Sequence, residues 1–233
     1  AEGESLVDLD RACRVTGGLV EAQCAERLAG MIVAAMGSED SLFECSLVRV
    51  GSFYEGSKVG RADEFDFLAE LKDEPLSSAA EIDADSGTAR IDFGAIPASD
   101  AERFKGFLSD QRVDPRLVFD RFAQLAERGY HRAAEQVKTS IDWPPSFSFP
   151  VKRSAYYDFE KHGPACTIEF EVESHIVSFD LVLALRCDLL AKSISLPVSE
   201  RLPSDHPFRA ASARSGHCHL VPYPDRQWRA SCP

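Results

Sequence analysis

The chain has no uninterrupted apolar run approaching the roughly 20 residues that a membrane-spanning helix requires. The longest such stretch near its beginning, Met31 to Met36, is far too short, so no membrane span is expected. A secretory leader is not indicated, because the opening residues Ala1-Glu2-Gly3-Glu4-Ser5 are acidic where a signal segment is basic. CxxC pairs are absent, and the 7 cysteines (Cys13, Cys24, Cys45, Cys166, Cys187, Cys218 and Cys232) are odd in number and scattered. That is not a disulfide framework, and reduced thiols in a cytoplasmic protein are the simpler account. Positive charge is in deficit, 26 Lys+Arg against 38 Asp+Glu for a net charge of −12. This argues against a surface that is one continuous sleeve for nucleic acid. A local basic face stays open, and so does the use of surplus carboxylates to hold divalent cations. No internal repeat is present.

What remains is an ordinary globular composition: 233 residues, 44% hydrophobic and 27% charged, enough to bury a substantial core. Leu9, Ala12, Val15, Leu19, Val20, Cys24, Leu28, Ile32 and Ala35 recur at helical spacing. They predict a long helix over 8–36, capped by Asp8, interrupted at Gly17-Gly18 and stopped at Gly37-Ser38. Residues 42–50 lean to strand, Gly51-Ser52 opens a polar loop, and 64–71 alternate as a half-buried strand does. Residues 73–88, rich in acids, Ser, Ala and Gly, read as a solvated excursion before a short strand at 89–93. A stripe from Leu117 to Val137 behind Pro115 predicts a second helix, ended by Trp143-Pro144-Pro145. Residues 166–173 and 175–185 are β-rich and meet at Glu173-Ser174-His175, 196–216 are loop, and His219 to Pro222 is a short strand end.

Candidate chemistry begins in Glu64-Phe65-Asp66-Phe67-Leu68-Ala69-Glu70-Leu71. On a strand Glu64 and Asp66 share a face about 7 Å apart, with the apolar residues opposite. Two such carboxylates repel unless a positive charge lies between them, and a hard divalent cation supplies it. Asp180 stands alone in the apolar run Ile176 to Leu185, where a carboxylate is costly to bury unless paired, hydrogen-bonded or metal-bound. If the two strands are neighbours, three carboxylates make a two-metal site. The ordinary alternatives are a wet strand face for Glu64 and Asp66 and a hydrogen-bonded structural group for Asp180. Gly51-Ser52 shifts the balance toward chemistry, because Gly admits close backbone approach and a Ser hydroxyl with nearby N–H groups can cradle phosphate.

The run Gly51-Ser52-Phe53-Tyr54-Glu55-Gly56 through Asp63-Glu64-Phe65-Asp66 resembles the signature of cGAS-like nucleotidyltransferases, the male-abnormal-twenty-one domain family. Gly163-Pro164-Ala165-Cys166-Thr167 through Ser178-Phe179-Asp180-Leu181-Val182-Leu183-Ala184-Leu185 is similar to that family's second strand block. His219-Leu220-Val221-Pro222 and Trp228-Arg229-Ala230-Ser231 resemble the segment that opens its helical half. The resemblance implies an α+β nucleotidyltransferase fold across 1–233: a twisted mixed sheet flanked by helices, with 8–36 as an N-terminal spine. It also implies that 217–233 begin a C-terminal helical lobe whose remainder this chain lacks. Glu64, Asp66 and Asp180 would be catalytic and bind Mg2+ (or Mn2+), Gly51 and Ser52 would contact ATP phosphates, and Arg229 and Ser231 the acceptor nucleotide. The implied reaction makes a cyclic dinucleotide messenger of innate immunity from ATP and GTP, with double-stranded RNA or DNA as the activator. Two departures stand out: Val50 where the family often has Thr, and Tyr223 where Lys commonly follows Val-Pro. A catalytically silent scaffold on the same fold, or a transferase acting on RNA or protein ends, are the alternatives. The weak basic cluster Lys152, Arg153, Arg201, Arg209, Arg214, Arg226 and Arg229 reads as solvated loop. His217-Cys218-His219 alternates faces on a strand and reads as structural rather than as a zinc site.

Overall fold

The alternation in residues 64–71 and its counterpart in 175–188 decide the architecture. Both segments are strands, and they lie side by side in parallel with Asp66 opposite Asp180 and Phe67 opposite Leu181. Phe65, Phe67, Ala69 and Leu71 are buried on one face together with Phe179, Leu181 and Leu183, and the polar residues take the other. The computed structural model describes residues 18–58, 61–71, 73–83, 86–149, 155–156, 163–188 and 217–231.

Among these, the elements run α1 (Leu19–Glu39), β1 (Cys45–Val50), α2 (Gly51–Tyr54), β2 (Glu64–Leu71), α3 (Glu74–Ala79), β3 (Ala80–Ile82), β4 (Thr88–Ile91) and α4 (Ala98–Ala101). They continue with β5 (Leu108–Ser109), β6 (Arg112–Val113), α5 (Pro115–Thr139), β7 (Ala155–Tyr156), β8 (Ala165–Val172), β9 (His175–Asp188), β10 (His217–Pro222) and β11 (Trp228–Ser231). The main sheet is mixed, in the order β1-β2-β9-β10-β11-β4-β3, with β8 on β9 and β7 on β8. This is the expected α+β nucleotidyltransferase-type arrangement. The turn between β8 and β9 is a two-residue one, Glu173 and Ser174 both lying at positive φ (52° and 64°), as a tight hairpin of this twist requires.

Helices α1 and α5 cover the apolar face of the sheet, their buried residues running from Ala22 to Met36 and from Val118 to Val137 in one cluster with the strand phenylalanines. Asp114 caps α5 by accepting from the Arg116 N–H at 2.9 Å, with Pro115 in its first turn. Helix α1 starts behind Gly18, whose φ of 89° puts it in the left-handed region, and residues 8–17 of the expected spine lie outside the described residues. The helix runs through Gly37 and Ser38, the expected stop, to Glu39, with the Ser38 hydroxyl donating back to the Ala34 carbonyl.

The stretch expected as a solvated excursion, 73–88, is instead partly structured. Asp73 is 6% exposed, caps α3 by accepting from the Leu76 N–H, and accepts from Arg103 with its other oxygen. Leu76, Ala79 and Ala80 are buried against the sheet, and the segment supplies β3. Acidic composition hid a cap: an Asp followed two residues on by Pro is a helix start. The described part of the C-terminal segment is a hairpin of the main sheet, β10–β11, in which Trp228 is buried and its indole N–H donates to the Val113 carbonyl. The helical lobe expected from 217 onward therefore does not start within 217–231. The 196–216 loop lies outside the described residues.

Two helical glycines make opposite demands. A Cβ added at Gly30 meets nothing within 4 Å, whereas one at Gly129 sits 2.9 Å from the Ile32 carbonyl oxygen where α5 crosses α1. Gly30→Ala should stabilise by about 0.5–1 kcal/mol through helix propensity alone. Gly129→Ala gains the same propensity, but overpacking costs about 1–3 kcal/mol, for a net loss of about 1 kcal/mol. Urea unfolding midpoints that move in opposite directions would bear this out; two shifts of the same sign would refute the close crossing.

Candidate active site

Alternation on β2 puts Glu64 and Asp66 on the face away from the helices, and the parallel register sets Asp180 directly across from Asp66. On the other edge of β9, Thr167 lies opposite Asp180, and its hydroxyl donates to Asp180 Oδ1 at 2.6 Å. A single row across the sheet thus reads Val50, Asp66, Asp180, Thr167. Asp66 and Asp180 are half-buried, and Glu64 is exposed at the start of its strand.

The turn out of β1 brings backbone to this row. Gly51 has φ of 81°, and a Cβ there would lie 2.0 Å from Asp66 Oδ2, so only glycine lets the chain pass this close to the carboxylate. Gly51 and Ser52 open α2, whose aromatic end is fixed by edge-on packing of Phe53 on Phe65 (4.8 Å between centroids) and contact of Tyr54 with Phe67 (5.6 Å). The Tyr54 hydroxyl is buried without a hydrogen-bond partner among the described residues, and burial pushes its pKa up to about 12. The Ser52 carbonyl accepts from the Ser57 and Lys58 N–H groups, which closes the loop behind the helix.

Charge in the site is unevenly balanced. Desolvation first, then Asp180 and Glu64, push the Asp66 carboxyl above the ordinary carboxylate range, and Lys58 opposes them. The mostly buried Lys58 ammonium stands 3.4 Å from Asp63 and 3.7 Å from Glu64, as a tethered cation among the acids. With Glu64 drawn to Lys58, no three His, Cys, Asp or Glu side chains among the described residues are gathered closely enough to hold a metal ion as they stand. The donor chemistry still fits a hard divalent cation: carboxylate oxygens only, two opposite each other on adjacent strands and a third two residues along. The Lys58 ammonium already stands against Glu64 at the edge of this group, and its charge opposes the repulsion felt by Asp66.

The other expected residues lie apart from this row. Arg229 and Ser231 share the sheet face of the acids by register, on β11 two strands from β9. Four and six residues of strand separate their rows from that of Asp180, roughly 16 and 22 Å between Cα atoms. Arg229 is bound to Asp225 at 2.6 Å and lies over the Tyr223 ring, and Arg226 is 3.9 Å from Asp114. Lys152, Arg153, Arg201, Arg209 and Arg214 lie outside the described residues. His219 is buried and shares a 2.7 Å hydrogen bond with Glu70 on the same face, well along the strand from the acids. The five described cysteines are buried. Sequence reasoning missed Lys58 and Thr167. Only register names Thr167 as the partner of Asp180, and nothing in a polar loop singles out Lys58.

A carboxyl with a raised folded-state pKa destabilises the folded chain once ionised. Stability therefore falls as pH rises through the window between the unfolded and folded values. Asp66→Asn should melt higher than the parent protein at pH 7 without divalent cations, and the gap should close on acidification. A variant that melts lower at neutral pH would contradict the electrostatics given for Asp66.

No curated protein matches the chain. The sequence model of the Mab-21 protein nucleotidyltransferase domain matches residues 53–231, from just after Gly51-Ser52 to the end of β11, and takes in Glu64, Asp66, Asp180, Arg229 and Ser231. With most of its length matched, and with its acids aligned on adjacent strands of a mixed sheet backed by long helices, the chain belongs to the Mab-21 nucleotidyltransferase domain family.

Proposed function

We propose that this transferase is a divalent-cation-dependent, cGAS-like enzyme that joins ATP and GTP into a cyclic dinucleotide messenger of innate immunity in the cytoplasm. The observation that carries the reading is the row in which Asp66 faces Asp180 across a parallel pair, with Glu64 two residues away and the Gly51 backbone against Asp66. When bound, Mg2+ (or Mn2+) lowers the pKa of an attacking hydroxyl and offsets charge on the phosphates. Glu64, Asp66 and Asp180 would hold it. Ser52 and the N–H groups opening α2 would donate to the triphosphate, the Gly51 N–H giving up its bond to Glu55, at a turn that Gly51 lets lie directly against Asp66. A 2′- or 3′-hydroxyl of the acceptor nucleotide attacks the α-phosphorus of the donor. The new O–P bond forms as the α–β bridging bond breaks, pyrophosphate leaves, and Asp180 accepts the hydroxyl proton. Arg229 and Ser231 are assigned to the acceptor nucleotide. Arg229 would have to exchange Asp225 for a nucleotide group to serve there. The activator proposed is a double-stranded nucleic acid.

A second reading is a catalytically silent scaffold on this fold, and the Lys58–Glu64 contact is the observation that favours it. The two readings separate on one set of measurements. For the enzyme, ATP or GTP should raise the melting temperature only with Mg2+ present, and labelled nucleotides should give a cyclic product on chromatography. Asp66→Asn should keep its fold and lose turnover on the order of 10³-fold, since a metal site supplies several kcal/mol at about 1.4 kcal/mol per tenfold. No Mg2+-dependent nucleotide stabilisation in a folded chain would sink the enzyme reading in favour of the scaffold.

A further inference from the structure

We propose that Thr167 is a positioning residue for Asp180, its hydroxyl fixing the carboxylate so that one oxygen is held and the other is presented to a divalent cation. This rests on the reading of the row as a cation site. The hydroxyl donates to Asp180 Oδ1 at 2.6 Å from the position directly opposite on β8. No described residue donates a hydrogen bond to Asp180 Oδ2 or to either oxygen of Asp66. Asp180 is therefore the orientationally fixed member of the pair, and Asp66 is constrained by packing against Gly51 instead. Threonine suits the task because β-branching restricts χ1, so its hydroxyl is aimed before the cation arrives. Leu181 and Phe179 on either side of Asp180 are fully buried, so the strand beneath the carboxylate has little freedom to compensate for a lost hydrogen bond. A group that orients a metal ligand typically changes affinity or activity by about 10–100-fold when removed.

The test is Mn2+ binding to the full chain, read from the electron paramagnetic resonance signal of the free ion, with melting curves for each variant. Thr167→Val keeps the shape and deletes the hydroxyl, and Thr167→Ser keeps the hydroxyl and deletes the methyl. Thr167→Val should weaken Mn2+ binding by about 10–100-fold, and Thr167→Ser should stay within about threefold of the parent. Activity lost in Thr167→Val at limiting Mn2+ should be recovered as Mn2+ is raised, which a merely damaged fold would not show. Asp180→Asn should lose the site. If Thr167→Val melts poorly, Thr167→Ala makes the same deletion with less bulk and should show the same loss. Parent-like affinity in both hydroxyl-free variants while Asp180→Asn fails to bind overturns the role of Thr167 alone, as does equal weakening in the Ser and Val variants. Parent-like affinity in Asp180→Asn overturns both the cation reading and the proposal.

Discussion

The parallel register of β2 on β9 is the constraint on which the site depends. Side chains alternate with a period of two, so a slip of one residue would send Asp180 into the core and leave Asp66 facing nothing. The acids do not favour this register. Two ionised carboxylates about 5 Å apart repel by about 3 kcal/mol at an effective dielectric near 20. The apolar face supplies what opposes them. Phe65, Phe67, Phe179, Leu181 and Leu183 are buried without remainder, and burial of each such side chain contributes about 1.5–3 kcal/mol. The same alternation that gathers the acids on one face also gathers, on the other, the residues that hold them there against their repulsion.

Helices α1 and α5 enter the site only through that second face. They fill it closely enough that Gly129 is needed where one backbone passes the other. The polar face is left uncovered by these helices, with Lys58 against Glu64, the Thr167 hydroxyl on Asp180 and the Gly51 backbone against Asp66. Lys58 offsets charge on the outer side, at Asp63 and Glu64, and Thr167 satisfies Asp180 on the inner side. Asp66, between them, has neither close partner and is the carboxyl whose ionisation the fold resists. A group in that state has the most to gain from an incoming cation.

Much of this was legible in the sequence, and the reason lies in periodicity. Residues 64–71 read as a strand because acid and apolar residues alternate without a break, and β2 has those same bounds. The stripe behind Pro115 ends within a residue or two of α5. The acids themselves were legible because a carboxylate in an apolar strand is expensive to leave unexplained. Composition misled at 73–88, where acidic residues masked a cap and a buried turn of helix. The register of β2 on β9 was not legible, since hydrogen-bonded pairing between segments more than a hundred residues apart leaves no local trace. Thr167 is close to Asp180 in the chain, across the β8–β9 hairpin, but a turn read over the three residues Glu173-Ser174-His175 leaves the pairing open, and only the two-residue turn sets Thr167 opposite Asp180. The separation of Arg229 and Ser231 from the acids along the sheet was hidden with the strand order.

The turn at Gly51-Ser52 shows how far local rules reach before tertiary structure takes over. Gly-Ser after a strand suggests close approach, but not to what. The fold answers with Asp66 Oδ2, set where a side chain on residue 51 would have to be. It also ties that turn to the long helix beneath: Arg49, just before it, pairs with Glu26 of α1, and Arg61, beyond it, reaches Glu21. Gly18 at the head of α1 lies against Ala62 so closely that an added Cβ would overlap it. Both ends of the loop that carries Gly51 and Ser52 are thus braced on one end of one helix. The backbone beside Asp66 is tied to α1 through an ion pair on one side and an ion pair with direct packing on the other, the same helix that packs beneath the strands holding the acids.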